Sequence, residues 1–226
     1  MEIGVLALQG AVREHLNSLA ACGVTAKPVK TLIELDGLNG LIVPGGESTT
    51  VGKLLVRYGM LEPIKLKARE GMAVFGTCTG LIMLAREING YDQPCLGLMD
   101  ISVKRNAFGR QINSFETDLS IPVLGVEPLR AVFIRSPEVT TAGPDTEILA
   151  RYEEHIVLVR QGCFLAAAFH PELTPDTRLH RYFLQECCRS GSDAALDNRG
   201  HRCGNLAITY QKRAASRSDY RFKEGG

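Results

Sequence analysis

A chain of 226 residues with 45% hydrophobic and 23% charged residues has the make-up of an average globular protein, which excludes wholesale disorder. A formal net charge of +1 gives no bulk attraction for nucleic acid or an anionic membrane surface, and no apolar run approaches the roughly 20 residues of a membrane span. Seven scattered cysteines (22, 78, 95, 163, 187, 188 and 203), with an N-terminus that enters an apolar run at once and has no basic leader, lead us to expect reduced thiols and a cytoplasmic location.

Residues 3–8 read as a buried strand. Val12, Leu16 and Leu19 then fall at helical spacing, and Gly23 stops the helix. His15, beside Arg13 and Glu14 in that stretch, reads as solvated surface. Strands at 25–29, 41–43 and 72–75 alternate with helical segments at 50–58, 61–70 and 80–87, the pattern of βαβ units around a buried parallel sheet. After the third strand comes Pro44-Gly45-Gly46-Glu47-Ser48-Thr49-Thr50. Such a double-glycine loop can offer a backbone N–H to an oxyanion or carboxylate, or be a plain turn with Ser48 as helix N-cap. It lacks the lysine of a P-loop, which argues against nucleotide binding.

The run Met72-Ala73-Val74-Phe75-Gly76-Thr77-Cys78-Thr79-Gly80-Leu81-Ile82 is an apolar strand, a G-x-C-x-G turn and an amphipathic helix, the pattern of a nucleophile elbow with sulfur in place of oxygen. Flanking glycines permit the tight turn, and a cysteine at a helix N-terminus is favoured as thiolate. The Thr79 N–H would then face an oxyanion. The plainer reading is a buried cysteine in an ordinary strand-to-helix turn.

Beyond residue 101 the strand-like segments shorten, at 101–103, 129–134, 148–152, 156–159 and 164–169, and a mixed or antiparallel arrangement is expected. The last of them runs into His170-Pro171-Glu172. In extended chain, residues two apart point the same way, so Glu172 could hold one nitrogen of His170 while the other faces a thiol. A lone histidine is otherwise a structural residue more often than a base. Thr174-Pro175 reads as the start of a closing helix that ends near 188. His155 falls in an expected turn, and Cys187, Cys188, His201 and Cys203 do not match zinc-ligand spacing, so no metal is called for. Residues 189–226, with eight basic against four acidic side chains and one small apolar cluster, read as a mobile basic tail appended to a domain spanning 1–188.

An elbow cysteine, a distant His-Pro-Glu and an upstream Pro-Gly-Gly loop together resemble the class I glutamine amidotransferases. Five finer motifs narrow this: Ala7-Leu8-Gln9-Gly10-Ala11-Val12-Arg13-Glu14-His15, the Pro44–Thr50 loop, Arg105-Asn106-Ala107-Phe108-Gly109-Arg110-Gln111, Phe133-Ile134-Arg135 and Phe169-His170-Pro171-Glu172-Leu173-Thr174. Over residues 2–188 these resemble the glutaminase subunits of pyridoxal 5′-phosphate synthase. The resemblance implies a three-layer, flavodoxin-like α/β fold with a mixed, mainly parallel sheet. It implies hydrolysis of L-glutamine, with ammonia passed to a (β/α)8 synthase subunit that builds pyridoxal 5′-phosphate from ribose 5-phosphate and glyceraldehyde 3-phosphate. No cofactor or metal is implied on the glutaminase itself. Carried over by motif position, Cys78 is the nucleophile, His170 the base and Glu172 its orienter. The N–H groups of Gly46 and Thr79 form the oxyanion hole, and Gly46, Glu47, Ser48, Arg105, Ile134 and Arg135 surround the glutamine. Thr79 departs from the family's usual alanine and the tail has no counterpart. These two departures keep a catalytically impaired regulatory subunit as an alternative, beside another class I amidotransferase or a γ-glutamyl hydrolase.

Overall fold

The structure, a computed structural model, describes residues 1–107 and 114–188. The expected tail at 189–226 and positions 108–111 of the Arg105 motif lie outside the described residues. Strands β1 (Glu2–Leu6), β2 (Thr25–Val29), β3 (Gly40–Val43) and β4 (Ala73–Thr77) are joined by helices α1 (Val12–Ala21), α2 (Ser48–Arg57) and α3 (Leu61–Arg69). Helix α4 (Thr79–Leu84) follows β4 at once and gives way to β5 (Ala85–Ile88). Strands β6 (Met99–Lys104), β7 (Ser114–Leu119), β8 (Leu129–Ile134), β9 (Glu138–Ala142), β10 (Glu147–Tyr152), β11 (His155–Gln161) and β12 (Phe164–Ala167) come next, and α5 (Arg178–Tyr182) runs into a π-helical turn over Phe183–Cys187.

The main sheet has the order β2-β1-β3-β4-β12-β11-β9-β6-β5, with β10 also paired to β11. Pairing is parallel from β2 through β12 and again between β5 and β6, and antiparallel among β12, β11, β9 and β6. Strands β3, β4 and β12 at the centre of the parallel half are buried along their whole length, whereas the edge strand β2 is largely not. Alternation along β4 separates the layers. Phe75 and Thr77 face His15 of α1 and, for Phe75, also His180 and Phe183 of the C-terminal helix. Gly76 points the other way, against Gly80 and Leu84 of α4. The result is the expected three-layer, mainly parallel α/β architecture, with Phe75, Phe133, Phe169 and Phe183 among its largest fully buried side chains. Each such side chain contributes roughly 1.5–3 kcal/mol on burial.

Four expectations need correction. The helix expected over 80–87 ends at Leu84, because Ala85–Ile88 gains more by pairing with β6 than the local helical preference offers. The closing helix starts at Arg178 and not at Thr174, whose backbone is extended. There the Asp176 carboxylate accepts from the N–H of Arg178, the first helical residue, at 2.9 Å. The last strand stops at Ala167, and His170-Pro171-Glu172 is a 3-10 turn, with proline supplying its fixed φ at the first position. Finally, His155 opens β11 and pairs with Glu138 of β9, where a turn was expected.

A separate antiparallel ladder of β7 and β8 stacks Phe115 on Phe133 at 4.7 Å. The end of β8 brings Ile134 to the mouth of the elbow.

Candidate active site

Cys78 sits between β4 and α4 with φ 50° and ψ −100°, a left-handed conformation that costs a side-chain-bearing residue about 1–3 kcal/mol. The surrounding structure enforces it. A side chain at Gly76 would collide with Leu84 and Gly80, and one at Gly80 with the Val43 carbonyl, so both glycines are needed for the helix to fold back over the sheet. The Cys78 N–H is anchored to the Ala167 carbonyl of β12 at 2.8 Å. Its thiol, 7% exposed with its residue, points at the Ile134 carbonyl at 3.7 Å.

His170 and Glu172 arrive from the turn after β12, which β8 fixes by accepting the His170 N–H on the Val132 carbonyl at 2.8 Å. His170 Nδ1 lies 2.7 Å from Glu172 Oε1, and both residues are buried, at 8% and 6% exposure. Burial opposes a charge on His170, but hydrogen bonds with Cys78 and Glu172, and their charges, outweigh it and raise its pKa to about 10. The three residues expected to act together are thus brought together, with the imidazole between thiol and carboxylate. A turn, not an extended strand, delivers the His–Glu pair.

Glycine spacing also shapes the neighbouring loop. Gly45 lies against the His170 ring, where any side chain would collide, and its carbonyl packs against Gly10, whose φ is +100°. The Gly46–Glu47 peptide is gripped at both ends. Its carbonyl accepts from the Thr79 hydroxyl at 2.6 Å, and its N–H donates to Gln9 Oε1 at 3.0 Å. Glu47, not Ser48, caps α2, accepting the N–H groups of Thr49 at 3.1 Å and Thr50 at 2.6 Å. Burial works against its charge, but these bonds prevail and lower its pKa to about 2. Ser48 is buried, with its hydroxyl 3.4 Å from Gln93 Oε1. Arg105, just past β6, reaches Glu47 Oε1 and Thr49 Oγ1, both at 3.3 Å, and lies 4.5 Å from the centre of the Tyr91 ring. Arg135 is exposed at the end of β8, with φ 45°.

One expectation about the site is overturned. His15 is fully buried, with Nδ1 at 3.0 Å from His180 Nε2 and Nε2 at 3.1 Å from Thr77 Oγ1. Its Nε2 is also 3.5 Å from Glu172 Oε2. Burial, followed by the neighbouring His180 and His170, drives its pKa well below the ordinary imidazole range, and burial lowers that of His180 to about 4. The signal was present in the spacing. Val12, His15 and Leu19 are three and four residues apart, on one helical face, and the charged neighbours Arg13 and Glu14 misdirected the reading.

The sequence profile of the SNO glutamine amidotransferase family matches residues 5–189. A pyridoxal 5′-phosphate synthase subunit PdxT from Pelotomaculum thermopropionicum is 60% identical over 85% of this chain and 98% of its own length. One from Moorella thermoacetica is 58% identical over 82% and 98%. A crystal structure of a glutamine amidotransferase superposes with a TM-score of 0.79 at 53% identity, covering 82% of this chain and 98% of the other.

Proposed function

The chain belongs to the SNO glutamine amidotransferase family, and from that premise we propose that Cys78, His170 and Glu172 carry out its glutaminase chemistry. It hydrolyses L-glutamine to L-glutamate and ammonia as the glutaminase subunit of pyridoxal 5′-phosphate synthase, and its partner is the synthase subunit that consumes the ammonia. The observation that carries the assignment is the strained Cys78 elbow together with His170, whose imidazole grips a buried carboxylate at 2.7 Å.

His170, with its pKa raised to about 10, holds the proton that leaves the thiol. Cys78 Sγ attacks the side-chain amide carbon of glutamine, forming a C–S bond and a tetrahedral oxyanion. The N–H groups of Gly46 and Thr79 stabilise that oxyanion. As the C–N bond breaks, His170 returns the proton to the departing nitrogen, and ammonia leaves a thioester on Cys78. Water, deprotonated by His170, then attacks the thioester, the C–S bond breaks, and glutamate and the starting thiol are regenerated. Glu172 holds the imidazole tautomer and orientation through both halves.

Gly46, Glu47, Ser48, Arg105, Ile134 and Arg135 would surround the glutamine. Arg105, just past β6, or Arg135, just past β8, can balance the substrate's α-carboxylate. The catalytic domain spans 1–188, a boundary supported by the family match ending at 189 and by relatives that are covered almost whole. No helix among the described residues is long and apolar enough to cross a membrane. A cytoplasmic location fits an odd number of cysteines that includes a nucleophile requiring reduction. The test is glutamate release from glutamine by the chain together with its synthase subunit, accompanied by labelling with a glutamine-like electrophile. Label on Cys78 is expected; label spread evenly over the seven cysteines would sink the assignment.

A further inference from the structure

The two oxygens of Glu172 have unequal surroundings. Oε1 faces His170 Nδ1 at 2.7 Å, whereas Oε2 is buried with no hydrogen-bond partner among the described residues, and the polar atom facing it is His15 Nε2 at 3.5 Å. A buried carboxylate oxygen without a donor is costly, so what His15 presents to it matters.

The neighbours of His15 decide this. His15 Nδ1 and His180 Nε2 are 3.0 Å apart, so only one of the two carries the shared proton. If His180 Nε2 carries it, the neutral His15 ring must bear its own proton on Nε2, aimed at Thr77 Oγ1 and Glu172 Oε2. What is then left over is His180 Nδ1, a bare lone pair buried without a partner among the described residues, and the Thr77 O–H, which no longer has His15 as its acceptor. If His15 Nδ1 carries it instead, His15 Nε2 can accept from the Thr77 hydroxyl but also turns its lone pair on the carboxylate, and His180 Nδ1 becomes a buried N–H with no acceptor among the described residues. An orphaned N–H is rarer in folded proteins than an under-used acceptor, and lone pair against carboxylate is repulsive. The first arrangement gives the buried carboxylate oxygen a facing donor and leaves His180 with an unused acceptor, whereas the second sets a lone pair against the carboxylate and orphans an N–H. Burial keeps both rings neutral, which preserves the donor–acceptor order.

We propose that His15 is a positioning residue for the hydrolytic triad: as its Nε2–H tautomer, set by His180, it donates toward Glu172 Oε2 and Thr77 and fixes the plane of the carboxylate that orients His170. This rests on the reading of Glu172 as the orienter. It links α1, the last residue of β4 before the nucleophile, the turn after β12 and α5 into one buried chain of polar groups. A carboxylate held at one oxygen can rotate about its terminal torsion; held at both, it keeps His170 aligned with the Sγ of Cys78.

Two measurements test it. Long-range 15N–1H NMR on the full-length parent chain at neutral pH reads tautomers directly and needs no variant. His15 and His180 are both expected as Nε2–H, and an Nδ1–H or imidazolium His15 overturns the inference. In the complex with the synthase subunit, His15→Leu should lower kcat about tenfold with KM within about twofold, and His15→Gln, which keeps an N–H near the ε position, should recover most of the loss. The His15→Leu loss should also vanish in a Glu172→Ala background, as coupling through the carboxylate demands. Equal losses in both His15 variants, or effects additive with Glu172→Ala, overturn it. A Glu172→Ala complex as active as the parent defeats the triad reading and this inference together, whereas an essential Glu172 beside an Nδ1–H His15 defeats this inference alone.

Discussion

The Thr79 hydroxyl donates to the Gly46 carbonyl across 2.6 Å, tying the residue that follows the nucleophile to the loop opposite it. Threonine at this position, where the resemblance leads us to expect alanine, therefore makes a contact of its own, and its methyl and hydroxyl are accommodated with the elbow intact. Both backbone donors assigned to the oxyanion hole belong to the two residues this bond connects. Thr79→Ala should lower kcat of the complex by roughly fivefold, the equivalent of one neutral hydrogen bond of about 1 kcal/mol, with KM little changed. Thr79→Ser should behave as the parent chain. Steady-state kinetics on the three proteins check this, and an undiminished kcat in Thr79→Ala removes the hydroxyl from the account.

Cys78→Ser, His170→Asn and Glu172→Gln should each cut glutamine hydrolysis sharply. Losses of about a thousandfold or more are expected for Cys78 and His170, because members of such a unit fail together. Double variants should lose little beyond the worse single one. Additive losses in a Cys78→Ser, His170→Asn pair would argue that the two act separately.

Much of this site was legible from the chain because its constraints are local. G-x-C-x-G announces an elbow, since only glycine at 76 and 80 lets Leu84 and the Val43 carbonyl come so close. The burial of His15 was marked by its spacing with Val12 and Leu19, but its partners were not legible, because His180, Thr77 and Glu172 lie 62 or more residues away in sequence. Strands β7 and β9 were missed for a related reason. Ser114–Leu119 and Glu138–Ala142 are largely polar and partly exposed, so their pairing partners, not their own apolar content, make them strands. Glu47 as the cap of α2 escaped notice because serine is the commoner capping residue.

Three buried histidines, two with lowered pKa values and one with a raised value, should give stability a maximum near pH 6.5. His180, with its pKa lowered to about 4, is neutral when folded and protonated when unfolded between those values, so stability rises with pH from about 4 to 6.5. His170, raised to about 10, stabilises the charged form, so its contribution is complete below 6.5 and is lost as pH rises toward 10. The alkaline slope approaches one proton, or about 1.4 kcal/mol per pH unit, and the acid slope exceeds it, because buried His15, held well below the ordinary imidazole range, also stays neutral when folded. Urea denaturation across this range checks it. Cys78→Ser should flatten the alkaline limb, because hydrogen bonding and charge at Cys78 contribute to the rise of the His170 pKa.

Truncation after Ser190 should leave folding and glutaminase activity intact. Residues beyond it carry too little apolar surface to offset the entropy of ordering them. A melting temperature within about 2 °C of the full chain, with unchanged synthase binding, is the expected result. Loss of binding would reassign the basic segment to the interface.

The isolated chain should be a poor glutaminase that becomes active when the synthase subunit docks. Ammonia released without a receiver is protonated and lost to solvent, so hydrolysis uncoupled from synthesis wastes glutamine. The loop shows where a gate can act. Its Gly46–Glu47 peptide is anchored by Thr79 and Gln9, so the remaining freedom lies in the preceding Gly45–Gly46 peptide, which carries the N–H assigned to the oxyanion. Two consecutive glycines leave that peptide free to turn, and contact from a docked partner would select the orientation that aims the N–H at the substrate. Gln9 lies where β1 leads into α1, and its grip on Glu47 couples that segment to the loop. Glutamate formation at saturating glutamine is measured for the chain alone and during titration with the synthase subunit, with thioester trapped in both states. Turnover should rise at least tenfold on titration, with thioester accumulating only in the complex, since one lost oxyanion donor costs about 100-fold or more. Full turnover in isolation, unchanged by the partner, would eliminate the gate and leave the triad standing.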